Sequence, residues 1–364
     1  MPWFGCASLL LAAGLAGCGA DPGARPGERA APGEHAALRG RPLTDTLALG
    51  LPMAVLAMGG KLVVQDMATD AAVQVFDAEG HRIASTGREG SGPGEFTDPL
   101  DAFSRPGHPG EFWVFDSRTS RLTPYELDAF AQGRTPRPSG DAVTLSPPFV
   151  FETPRWLDDS TLVALDPMTT PGEGRFALFA PDGARHRSVG APPPGPERIP
   201  PLVRQQAYGG YIAVHPQRPL FVLASRYAGR LEVYGRDGGL IGRMQVPEAF
   251  EPDFSAARDG VNMVRGPGFR FGYVDVAVTA DRVLGLYSGR RFEAGPDDRA
   301  HLGDQVHFFD WQGRFLGAVR LDAGAMRIAV DAAGDRLYAL LHDPHPQVIE
   351  YPLGEAGPAK LARR

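Results

Sequence analysis

Cysteine is almost missing from this chain of 364 residues: Cys6 and Cys18 are the only two. Both fall in an N-terminal apolar stretch, which leaves the rest without disulfides, metal–thiolate centres or a thiol nucleophile. Lysine occurs only at Lys61 and Lys360, and asparagine only at Asn262. Positive charge does not dominate. Lys and Arg number 37 against 43 Asp and Glu, a net charge of −6. This balance argues against a broad nucleic-acid surface, which needs clustered positive charge. No apolar run reaches the ~20 residues that a membrane-spanning helix requires. The recognisable catalytic signatures are missing too: no G-x-S-x-G elbow, no H-E-x-x-H pair and no phosphate loop, and the 9 histidines are scattered.

Glycine and proline are abundant, at 46 and 35 residues. They alternate with runs of Val, Leu, Phe and Tyr, the pattern of many turns between short strands. The N-terminus is organised differently. The run CASLLLAAGLAG at 6–17 suits the apolar core of an export signal. It ends in Leu15-Ala16-Gly17-Cys18, which resembles the lipobox of bacterial lipoprotein signals. That resemblance implies cleavage before Cys18, lipid on its sulfur and attachment to a membrane. The leading MPWFG departs from it by lacking Lys and Arg, and a plain secretory signal or a buried N-terminal segment is the alternative. Gly19 is not the Asp that retains some lipoproteins at the inner membrane, which favours an outer-membrane destination. Residues 19–41 hold almost nothing large to bury and read as a flexible tether.

From residue 42 to 354 one pattern recurs. Second strands stand out as KLVVQD (61–66), EFWVFD (111–116), TLVALD (161–166), LFVLAS (220–225), RVLGLYS (282–288) and RLYALLH (336–342). Their spacing of ~50–60 residues suits propeller blades. Third strands end in hairpin turns with Gly where positive φ is needed: VQVFDAEG, FALFAPDG, LEVYGRDG and VHFFDWQG. Six units follow, the last with three strands only, while PLTDTLALG at 42–50 is a spare strand before the first. The expected fold is therefore all-β: a six-bladed β-propeller of four-stranded antiparallel blades, closed by the N-terminal strand in the last blade, with a C-terminal tail at 355–364.

The unit around GREGSGPGEF (87–96), with Gly94, Phe96, Pro99, Trp113-Val114, Asp116, Arg121-Leu122 and Tyr125, resembles an NHL-type propeller repeat. The chain as a whole is similar to bacterial six-bladed propeller lipoproteins. GREGSGPGEF itself reads as a crossing from the rim of blade one to the axis at blade two, with Phe96 as its anchor.

Loop lengths are asymmetric. The long ones, 87–99, 190–210, 247–272, 166–174 and 288–304, belong to the two loop classes that share one face of a propeller, which makes that face the expected binding face. Arg88, Arg118, Arg226, Tyr227, Arg290, Arg291 and His301 lie on loops of these two classes as candidate ligand-binding residues, with Arg121 and Tyr287 nearby. Arg forks suit carboxylate, phosphate or sulfate, and aromatic rings suit sugars or peptide side chains. The alternative is solvated loop charge paired with Glu89, Glu95, Asp297 and Asp298. Asp66, Asp116 and Asp166 end three successive second strands. They would either form a cation-binding ring or cap their own loops. The functional expectation is a non-catalytic, envelope-anchored scaffold for a protein, peptide or glycan, with no cofactor and no metal. The alternative is a lactonase-like hydrolase with a site near the axis, although calcium-dependent propellers of that kind use Asn ligands and this chain has one Asn.

Overall fold

The computed structural model describes residues 36–43, 49–146, 152–166, 174–191, 193, 195, 198–293, 295 and 298–354. The expected export signal with Cys18, most of the tether and the C-terminal tail lie outside them. Within them the chain forms six blades around an axis. The first, second, third and outer strands of blade one are Pro52–Met58, Lys61–Asp66, Val73–Phe76 and Arg82–Thr86. Blade two is Pro99–Arg105, His108–Asp116, Arg121–Glu126 and Val143–Thr144. Blade three is Glu152–Asp158, Thr161–Leu165, Phe176–Phe179 and Arg185–Val189. Blade four is Gly210–Val214, Leu220–Ser225, Leu231–Gly235 and Leu240–Arg243. Blade five is Tyr273–Val278, Arg282–Tyr287, Gly303–Asp310 and Phe315–Ala325. Blade six has Arg327–Val330, Arg336–Leu341 and Gln347–Pro352.

The second strands are continuous apolar runs because each blade is covered on both faces, and successive side chains point to opposite ones. Leu62 and Val64 pack towards blade six, whereas Val63 packs towards blade two. Trp113 and Phe115 join Trp156 between blades two and three, while Phe112 and Val114 face blade one. One apolar cluster fills each gap between neighbours, including the gap between blades six and one, where Leu340 and Val348 meet Val55 and Phe76. A fully buried Leu or Phe of this kind contributes about 1.5–3 kcal/mol. Phe96 takes the anchoring place expected of it, buried between blades one and two with Val73 and Tyr125.

The N-terminal segment differs from its expected layout. Arg41–Pro42 pairs antiparallel with Gln347–Pro352 as the outer strand of blade six, in the register Arg41 to Glu350 and Pro42 to Ile349. The Leu43 N–H adds a bond to the Val348 carbonyl at 2.9 Å. Ala36–Leu38, placed in the tether by its small side chains, is instead a strand parallel to Val319–Leu321 on the edge of blade five. The propeller therefore includes Ala36–Leu38 ahead of the expected boundary at 42, and this segment spans two blades.

Third-to-outer turns touch the preceding blade. Gly80, at φ +93°, presses against the Leu43 carbonyl, and Gly183, at φ +84°, against that of Thr144. A Cβ at either position would meet backbone that cannot yield, on top of the left-handed strain. Replacing Gly80 with Ala should destabilise the propeller by roughly 2–4 kcal/mol in chemical denaturation. Gly242→Ala, where a Cβ meets nothing within 4 Å, should leave the midpoint within about 0.5 kcal/mol of the parent.

Candidate binding site

The innermost strands bring five polar side chains to the axis: Asp101, Arg155, Tyr211, Asp275 and Arg327, one from each of blades two to six. Irregular register between Pro99 and Asp101, and between Tyr273 and Asp275, re-aims these strands at their starts. Arg155 donates to Asp101 at 2.6 Å across neighbouring blades. Arg327 of blade six lies 4.7 Å from the ring centre of Tyr211 on blade four. These blades are not neighbours, so the contact must cross the axis. Asp275 accepts the Ile328 N–H at 2.8 Å. Burial pushes its carboxyl up to about 6, against the pull of Arg327 and of that N–H. Burial opposes ionisation of Tyr211 as well, but the guanidiniums of Arg226 and Arg327 outweigh it and hold the phenol below its usual range.

Arg226 joins this axial cluster to a cavity of about 140 Å³ lined by Leu165, Asp166, Arg175, Gln205, Gln206, Gly209, Arg226, Tyr227 and Met263. Its guanidinium lies 5.1 Å from the Tyr211 ring centre and 5.7 Å from that of Tyr227. Two insertions in the inter-blade crossings build the outer wall. The helix Pro201–Ala207 opens on proline, whose missing N–H costs a first turn nothing. Gln206 clamps it to the hairpin Phe254–Ala256/Met263–Arg265, accepting the Met263 N–H at 2.9 Å and donating to the Val261 carbonyl at 3.0 Å. Tyr208 and Ala228 are buried beneath them, with Phe254 packed alongside. Apolar walls, amides and a ring-stacked guanidinium make a recess suited to a small polar group on an apolar body. Among the described residues no three His, Cys, Asp or Glu side chains are grouped so as to hold a metal ion.

Six blades closed around a polar axis agree with the sequence relationships. Residues 38–333 match the family described as TolB-like 6-blade propeller-like. The chain belongs to the TolB-like six-blade propeller family. No curated protein matches it in sequence. Among solved structures, U3-55K aligns at 10% identity over 86% of this chain and 98% of that one, with a TM-score of 0.51. A Bacteroides fragilis protein described as exported aligns at 11% identity over 86% and 94%, with a TM-score of 0.50. At such identities the likeness is one of fold.

In this TolB-like propeller the expected candidates are dispersed. Arg226 and Tyr227 line the cavity. Arg290 is committed to Asp304 at 2.8 Å and to the Leu302 carbonyl at 2.9 Å. Arg88 pairs with Glu95 at 2.5 Å, as the loop-charge alternative would have it. Arg118, Arg291 and His301 are exposed and line neither described cavity. Of the three strand-end aspartates, Asp66 accepts the N–H groups of Gly50, Leu51 and Ala68 at 2.7–3.1 Å. Asp116 accepts those of Thr97, Asp98 and Thr119. Both thus cap their loops and fasten the incoming crossing, while Asp166 takes Arg185 at 2.7 Å. Sequence reasoning passed over the axial five. Their signal is a charged or phenolic residue among the apolar positions of a first strand, as in PLDAF, GYIAV and RIAV.

A carboxyl whose folded pKa is raised favours folding below the unfolded value and loses that contribution as pH rises through the folded value. For Asp275 the window runs from its ordinary 3.8 to about 6. Relative to Asp275→Asn, the parent should lose about 2.4 kcal/mol of stability between pH 4 and pH 7 in denaturant titrations. A constant difference across that window would contradict the assignment.

Proposed function

We propose that this protein is an exported lipoprotein, lipidated on Cys18, whose propeller holds a protein, peptide or glycan ligand at the cell envelope without transforming it. The observation that carries the reading is the recess beside the axis, where Arg226 lies against Tyr211 and Tyr227 and the wall is built by two crossings much longer than a turn requires. A guanidinium already seated on aromatic rings loses little freedom when it meets a carboxylate or sulfate, and Tyr227, Leu165 and Met263 supply the apolar side of the contact. The family membership and the exported Bacteroides fragilis relative in fold support an envelope setting. Gly19, in place of a retention Asp, favours an outer-membrane destination for that anchor.

Full-length protein recovered from solubilised envelope should carry its ligand, and the co-purifying species can then be titrated by calorimetry. Arg226→Ala and Tyr227→Ala should each weaken that binding by about 10-fold or more with the melting temperature kept, whereas Arg118→Ala should not. Equal affinities in all three variants would reject the recess. Mass spectrometry of the envelope form should find a diacylglycerol adduct that Cys18→Ser abolishes. Its absence from the parent would remove the anchor from the reading.

A further inference from the structure

The outer strands of the blades differ in how their free edge is dressed. Blade three presents Arg185, His186 and Arg187, and the blade two strand has two residues. Blade six is edged by the N-terminal Arg41–Pro42, and the edge of blade five is covered by Ala36–Leu38. Blade one ends in Arg82–Thr86, whose Ile83 and Ala84 are partly buried. Leu240–Arg243 of blade four likewise has a strand partner on its inner side only, but its apolar residues are exposed. Leu240 is 49% exposed and Ile241 60%, the highest values among the large exposed hydrophobic residues. Gly242 has open space where a side chain would stand. Natural sheets blunt such edges with charge or cover them, so an apolar uncovered edge calls for an occupant.

A cleft of about 520 Å³ adjoins this strand, and Leu240 and Arg243 are among the residues that line it. Three guanidiniums share one buried carboxylate there. Glu232 accepts from Arg243 at 3.0 Å, from Arg230 at 3.3 Å and from Arg175 at 2.7 Å. The second nitrogen of Arg230 goes to Glu251, and Asp237 spends an oxygen on the Gly239 N–H. Arg243 is half exposed, and its two terminal nitrogens have no partner among the described residues.

We propose that the edge of blade four binds an extended acidic peptide segment as an added fifth strand. Main-chain groups of Leu240–Arg243 supply the ladder, Leu240 and Ile241 meet alternate apolar side chains, and Arg243 takes a carboxylate at the mouth of the cleft. The fold already accepts such an addition one blade further on, where Ala36–Leu38 lies along Val319–Leu321. This inference is independent of the recess at Arg226.

The test uses the full chain and a fluorescent peptide of about nine residues with alternating Val and Thr and two Glu, followed by anisotropy. Micromolar binding is expected. A version N-methylated at alternate residues, and one with Lys for Glu, should each bind at least ~10-fold more weakly. Arg243→Glu and Ile241→Lys should weaken the parent peptide by ~10-fold at unchanged melting temperature. Binding that survives N-methylation, or no binding by ~1 mM peptide, overturns the proposal. So does light scattering that finds a dimer which Ile241→Lys dissolves, since the edge would then belong to a second copy.

Discussion

Ring closure is the constraint on which the rest of this structure depends. A propeller blade buries both faces only if it has a neighbour on each side, so one open gap would expose two apolar faces at once. Here the last gap is sealed by residues from the two ends of the described chain. Leu43 and Leu49 join Val55 and Phe76 of blade one and Tyr338, Leu340 and Val348 of blade six in a single cluster. The hydrogen-bonded seam is short: two strand residues and the Leu43 N–H. Around it, Tyr351 donates to Asp322 at 2.8 Å, and Arg41 pairs with Glu350 at 2.5 Å. Ala36–Leu38 carries the same segment on to blade five, so a few residues fasten two blades at the rim.

Closure also fixes the chemistry of the axis. Six first strands converge there, and five of them carry a polar side chain towards it. The result is a linked set in which Asp101 neutralises Arg155, and Arg327 lies between Tyr211 and the environment of Asp275. The contact of Arg327 with Tyr211 couples blades six and four, which are not neighbours in the ring. Arg226 sits at the edge of the set, between the rings of Tyr211 at the axis and Tyr227 in the recess.

The repeat was readable because burial on both faces turns each second strand into an uninterrupted apolar run, and because close blade contact demands glycine in the third-to-outer turns. KLVVQD and FALFAPDG carry those two signals plainly. The tether boundary was not readable. The strand Ala36-Ala37-Leu38 has the composition of a linker, and its pairing depends on a partner about 280 positions away. The site was half readable. Arg226 and Tyr227 follow directly on a second strand, so their place on the long-loop face could be inferred. Arg88 lies on the crossing between blades one and two, away from the helix and the hairpin, and His301 stands exposed on a blade-five loop without lining the cavity. The axial residues escaped notice because one polar position in a short strand gains meaning only when the blades facing it are known.

Hydrogen exchange measured on the full chain and on a chain beginning at residue 44 tests closure most directly. If the N-terminal segment seals the ring, amides in Arg336–Leu341 and Gln347–Pro352 should exchange on the timescale of global unfolding in the full chain. In the shortened one they should exchange at least ~100-fold faster, with blades two and three less affected. Equal protection of blade six in both chains would mean that the ring is held shut without its N-terminal strand.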